Sequence, residues 1–205
     1  MLNRRVFLEA GLAASALPLL ARAGPIAAVD APVPQPPLSL YRTIADERFQ
    51  AGRGFATVAA RSGAVVLGTS GDITDLWYED LAPRWREQPA AIAGLTAADA
   101  LFCLERLAWD AGLRVVYLGE HRQLTDGSLR HRLWGPAPMN AAADALASAA
   151  QDWHERVGDL VRNCPARGTI PVTTRNVLCD ARLRASAEPL YSWVIAPAVN
   201  RGAKQ

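Results

Sequence analysis

Ala64-Val65-Val66-Leu67-Gly68 is a continuous apolar run closed by a glycine. A short run without polar alternation suits a strand buried on both faces of a sheet, the setting of parallel strands covered by helices. Immediately before it, Gly63 ends a helical pattern in which Phe49, Phe55, Val58 and Ala59 recur on one side as far as Arg61. Asp46 stands where that helix needs an N-cap. Further upstream, Leu38-Ser39-Leu40-Tyr41 reads as a short strand. Strand, helix and buried strand form a β-α-β unit, and its crossover implies parallel pairing.

Downstream, Thr69-Ser70-Gly71-Asp72 reads as a turn and a helix enters near Thr74. Leu76, Trp77, Leu81 and Trp85 give it an apolar side, and Pro83 must bend or break it. Thr96 reads as the N-cap of another helix, with Asp99 at its third position as in a capping box. Leu101, Leu104, Leu107, Ala108 and Ala111 form its buried stripe, and Gly112 closes it. A third strand runs from Leu113 through Leu118 and on to Leu124. Asp126-Gly127 then predicts a two-residue hairpin turn, with Ser128 to Trp134 as the return strand. Residues 140–156 read as an Ala-rich helix, and Tyr191 to Ile195 as a last edge strand stopped by Pro197. This order predicts an α/β fold: a three-layer sandwich with a mostly parallel central sheet and an antiparallel edge hairpin.

The first residues are Met1-Leu2-Asn3-Arg4-Arg5-Val6-Phe7-Leu8. An uncharged Ala- and Leu-rich stretch follows from Gly11 to Leu20, and Ala21-Arg22-Ala23 supplies small residues two apart, the pattern of a signal-peptidase site. The stretch is too short to span a bilayer, which takes about 20 residues. The paired arginines followed by Phe7 and Leu8 resemble the twin-arginine signal peptides of exported bacterial proteins. That resemblance implies a periplasmic protein exported already folded, often with a cofactor or partner aboard; it names neither. Residues 1–23 are accordingly expected to be a cleaved signal. Residues 24–37, with five prolines, read as a linker, and 38–205 as one α/β domain.

The formal net charge is only +2, and Arg4, Arg5 and Arg22 would leave with the signal. A near-neutral domain lacks the basic surface of a general nucleic-acid binder. No other apolar run is long enough for a membrane span or anchor. Of the three cysteines, Cys164 and Cys179 are 15 positions apart in a stretch that reads as irregular. In an oxidising compartment they are expected to form a disulfide, contributing about 3 kcal/mol. Cys103, inside a helical pattern, reads as a buried free thiol.

Two segments carry candidate chemistry. Gly68-Thr69-Ser70-Gly71-Asp72-Ile73-Thr74 joins a strand to a helix, where backbone N–H groups can hold an anion. It lacks the Lys-Ser/Thr ending of a P-loop, and Asp72 can equally serve as a helix cap, so turn and ligand loop both stand. The second is the hairpin. A turn at Asp126-Gly127 pairs Gln123 with Arg130, Arg122 with His131, and His121 with Arg132. Both faces then carry cations, which calls for an acidic partner or marks a solvated arm that resists edge pairing. In that register His121 and His131 fall on opposite faces, and no third ligand converges on them, so no metal site is expected. Trp77, Leu81 and Trp85 share a helical face, more in keeping with core packing than with a cofactor slot.

These residues suggest a periplasmic accessory or binding protein, assisting a partner enzyme or holding a small acidic ligand. Arg122, Arg130, Arg132, His121, His131, Asp72 and Thr74 are the candidate contacts. The competing reading is an enzyme at the strand ends using Asp72 and a histidine as acid–base groups.

Overall fold

A computed structural model describes residues 35–149, 151–166, 172–180 and 188–198. The expected signal peptide and the linker up to residue 34 lie outside the described residues. The end of that linker is already part of the fold. Pro37 forms a β-bridge with Pro165, the Leu38 N–H donates to the Cys164 carbonyl at 2.8 Å, and the Ala166 N–H donates to the Pro36 carbonyl at 2.9 Å.

The strands are β1 (Leu40–Asp46), β2 (Val66–Thr69), β3 (Ala91–Thr96), β4 (Leu113–Gln123), β5 (Leu129–Pro136), β6 (Val172–Cys179) and β7 (Leu190–Pro197). They form one mixed sheet in the order β2-β1-β3-β7-β4-β5-β6. The helices are α1 (Gln50–Arg61), α2 (Thr74–Leu76), α3 (Ala82–Glu87), α4 (Ala98–Asp110), α5 (Ala137–Ala142) and α6 (Trp153–Arg162).

The α/β class is as expected, but the sheet is mostly antiparallel. Only β1 with β2 and β1 with β3 pair in parallel. The cause is β7, which lies antiparallel between β3 and β4 instead of at an edge. Strands β3 and β4 therefore run the same way, as their crossover through α4 dictates, but they are not neighbours. The apolar run at residue 64 is not buried on both faces either: β2 is an edge strand and Val65 is exposed.

Several local expectations change for identifiable reasons. Ala91–Thr96 is a fully buried strand, so Thr96 ends a strand and does not cap a helix. Its hydroxyl accepts from the Trp193 indole N–H at 3.1 Å. Asp46 ends β1 with no solvent exposure and α1 begins only at Gln50. Pro83 sits in the first turn of α3, directly after a π-helical turn over Trp77–Leu81. Such a turn keeps a helical track continuous where proline removes a donor. The Ala-rich stretch divides into α5, a 3₁₀ turn over Ala143–Ser148, and α6. The segment that read as irregular contains β6, whose last residue is Cys179.

Two apolar clusters flank the sheet. Alternation along β7 separates them: Trp193 and Ile195 belong to one, Val194 and Ala196 to the other. Leu81, Trp85, Leu101 and Leu104 join the first, so the tryptophan-bearing face is core. Phe55 of α1 and Trp153, Val157 and Leu160 of α6 join the second. Cys164 and Cys179 are buried in the second cluster as free thiols, without the expected bridge, while Cys103 is exposed and not buried.

Candidate functional site

The hairpin is built one residue out of the expected register. Gly127 adopts φ +84°, closing a three-residue loop over Thr125, Asp126 and Gly127. The Leu124 N–H donates to the Ser128 carbonyl at 2.8 Å, and Asp126 Oδ1 accepts from the Ser128 N–H and hydroxyl at 2.9 and 2.6 Å. This is the turn-plus-bulge solution for three-residue hairpins. A slip of one residue moves side chains to the other face. His121 now pairs with His131, Arg122 with Arg130, and Glu120 with Arg132.

The two histidines consequently meet on the inner face. Their Nδ1 atoms are 2.7 Å apart, so one donates the single proton that the other accepts. His121 Nε2 lies 2.7 Å from the Ser192 hydroxyl, which lies 3.0 Å from the Tyr117 hydroxyl. The Trp153 ring covers both imidazoles at centroid distances of 4.7 and 5.6 Å. His131 Nε2 is buried with no hydrogen-bond partner among the described residues. Gly119 keeps the network closed, since a Cβ there would lie 2.6 Å from Ser192 Oγ and 2.8 Å from the Tyr117 hydroxyl.

Burial disfavours charge throughout this network. It holds His121 well below the ordinary imidazole value, assisted by His131, and pulls His131 down to about 4. The Tyr117 phenol is raised by the same desolvation. At neutral pH both imidazoles are therefore uncharged. A nucleophile, a base and an orienting group stand in line as Ser192, His121 and His131. Ser192 has no solvent exposure, however, and both His121 nitrogens are engaged inside the protein.

A cleft of about 380 Å³ opens beside this network. The sheet supplies His121, Gln123, Leu129 and Leu190 to its lining, and Glu188 stands at the approach to β7. Residues Gln151, Trp153 and His154 line it from the start of α6, and Phe49, Gln50 and Ala51 from the start of α1. Desolvation holds His154 below the ordinary imidazole value. Sequence reasoning missed this cleft because it joins five separated segments; only His121 was already singled out.

The outer face of the same strands is different. Arg122, Arg130 and Leu178 form one cross-strand row; Glu120, Arg132 and Asn176 the next; Leu118, Trp134 and Thr174 a third. Arg130, Arg132, Trp134, Asn176 and Leu178 are exposed. Glu120 engages Arg122 at 2.9 Å. No ion pair engages Arg130 or Arg132 among the described residues. All three hairpin arginines thus share one face, and both histidines the other.

Asp72 and Thr74 form a closed turn. Asp72 Oδ1 accepts from the Thr74 N–H at 2.8 Å and its hydroxyl at 2.6 Å, which hold the carboxyl below its usual range. The Thr69 hydroxyl accepts from the Gly71 N–H and donates to the Asp72 carbonyl. The loop's polar groups serve the loop itself. Strand β2, which leads into it, is four strands from β4, roughly 19 Å at the usual spacing. Asp72 is therefore not brought together with His121 or His131. A stronger charge cluster at the strand ends escaped sequence reasoning: buried Asp46 accepts from Arg48 Nε and Nη2 at 2.9 and 2.6 Å, and Arg48 also reaches Asp99 at 3.2 Å. The Asp46 hydrogen bonds raise the Arg48 guanidinium pKa.

Among the described residues no group of three or more His, Cys, Asp or Glu side chains could hold a metal ion, and no helix is long and apolar enough to cross a membrane. No family model, no curated protein and no solved structure matches this chain.

Proposed function

We propose that this protein is an exported, non-catalytic accessory protein of the periplasm that docks an acidic surface of a partner protein on the outer face of β4, β5 and β6. The observation that carries this reading is the gathering of Arg122, Arg130 and Arg132 on one exposed sheet face beside Trp134 and Leu178. Arginine and tryptophan are the side chains that most often dominate interface energies, and an uncovered apolar residue beside them adds desolvation. Apolar clusters on both faces of the sheet support a three-layer arrangement whose α3–α4 layer stops short of β5 and β6. That gap leaves the arginine face open.

The accessory reading also draws support from the inner face, where His121 has no nitrogen left to offer a substrate. The enzyme reading based on Asp72 and a histidine loses its geometry, because the sheet separates them. The paired Arg4 and Arg5 supply the export address. The test is capture of partners by the full chain from periplasmic extract at low and high salt, against a variant with Arg122, Arg130 and Arg132 all changed to Gln. The parent should retain a specific protein that salt releases, because steering between opposite charges is screened. The triple variant should lose it while melting as the parent does. Equal retention by the triple variant at low salt refutes the reading.

A further inference from the structure

We propose that the outward face of α4 is a self-association surface, on which a second copy of this chain docks its own α4 in antiparallel. The helix is set on the sheet by Ala100, Leu101, Leu104 and Ala108, all buried. At about 100° per residue this fixes the opposite side, where Phe102, Arg106 and Trp109 are exposed at spacings of four and three.

Phe102 is 63% exposed and Trp109 41%. Single apolar residues scattered over a surface need no explanation. Two large aromatic side chains seven positions apart on one line of a helix, whose other side is already packed, make a seam. The Arg106 guanidinium lies 4.0 Å from the Trp109 ring centroid and positions that ring before any partner arrives.

Charge decides the occupant. Glu105 flanks the stripe beside Arg106, and no ion pair engages either among the described residues. An acidic partner would suit Arg106 and be repelled by Glu105; a basic partner would meet the reverse. A copy of the same helix satisfies both. With the two-fold axis passing between Glu105 and Arg106, antiparallel helices bring Phe102 level with the copy's Trp109 and Glu105 level with the copy's Arg106, each contact occurring twice. Helix axes about 8–10 Å apart leave these long side chains within reach of one another. A single helix pair stands at the small end of protein interfaces, below about 1,200 Å² in total, so the dimer is reversible and concentration-dependent.

The test is sedimentation velocity of the full chain at low salt, from micromolar to millimolar concentration. The parent should pass from monomer to dimer as concentration rises. Arg106→Glu and Glu105→Arg should each weaken the dimer at least about tenfold, because like charges then face each other across the axis. Combining the two puts opposite charges back in exchanged positions and should recover most of the lost affinity. Phe102→Ser should weaken the dimer as the charge reversals do. These positions lie outside the core, so every variant should melt as the parent does at a concentration where the parent is monomeric. The triple arginine variant should dimerise as the parent does, which separates this surface from the docking face. A monomer at every concentration, single charge reversals without effect, or a combined variant as weak as the singles overturns the proposal.

Discussion

Acidification should unfold this protein through its buried imidazole pair, and His131→Gln should blunt the effect. His131 has no solvent exposure, and burial lowers its pKa from 6.5 to about 4. Tyr117, Ser192, His121 and Trp153 surround the pair, and no carboxylate contacts either ring among the described residues. The unfolded chain takes up protons below about pH 6.5, while the native state resists them. Stability from this group is therefore full above pH 6.5 and is lost as pH falls toward 4. At pH 5 the loss from His131 alone is about 2 kcal/mol, rising to about 3 kcal/mol at pH 4 and below. His121 moves in the same direction and adds to it. The assay is urea denaturation at pH 7.5 and pH 5. Gln keeps a donor for His121 but does not titrate, so the variant's loss between the two pH values should be about 2 kcal/mol smaller than the parent's. A parent equally stable at both values, or a variant with the same loss, refutes the buried neutral pair.

Gly119→Ala should cost about 1–3 kcal/mol in thermal or urea melts, because the added Cβ overlaps Ser192, Leu133 and Tyr117 together. Arg48→Ala should cost about 3 kcal/mol or more by the same measurement, since Asp46 would remain a buried charge without its partner. Native protein should show one accessible thiol, Cys103, because Cys164 is enclosed and its thiol is pushed up to about 12. Counting thiols in denaturant without reductant then separates three free cysteines from a Cys164–Cys179 bridge. Changing Arg4 and Arg5 together to Lys should leave the protein in the cytoplasm on fractionation.

The elements legible in the sequence were those with a local signature. The stripe of Leu101, Leu104 and Ala108 marked α4, and the turn residues Asp126 and Gly127 marked the hairpin. What local signatures did not carry was register and adjacency. Asp-Gly suits both a two-residue turn and the last positions of a three-residue one, and the difference is one residue. That residue decides whether His121 and His131 stand on opposite faces or share a proton. Ala91–Thr96 sets its two β-branched residues, Ile92 and Thr96, at opposite sides of Ala93 and Gly94, residues depleted in strands, so β3 was hidden. The direction of β3 and β4 followed from the crossover between them, but nothing near either strand told that Leu190–Pro197 would enter the gap. The site suffered most, because the cleft exists only after α1, α6, β4, β5 and β7 are assembled.

The central place of β7 makes completion of the fold a late event. Without residues 190–197 the strand order would leave β2-β1-β3 and β4-β5-β6 with nothing between them, each with an unpaired edge open to other chains. Joining them pairs distant residues, as in the contact of Trp193 with Thr96 across 97 positions, and non-local pairing is slow. On the export route proposed for it, which takes only folded cargo, a chain with its first six strands alone would be unfit to travel, and the seventh would release it.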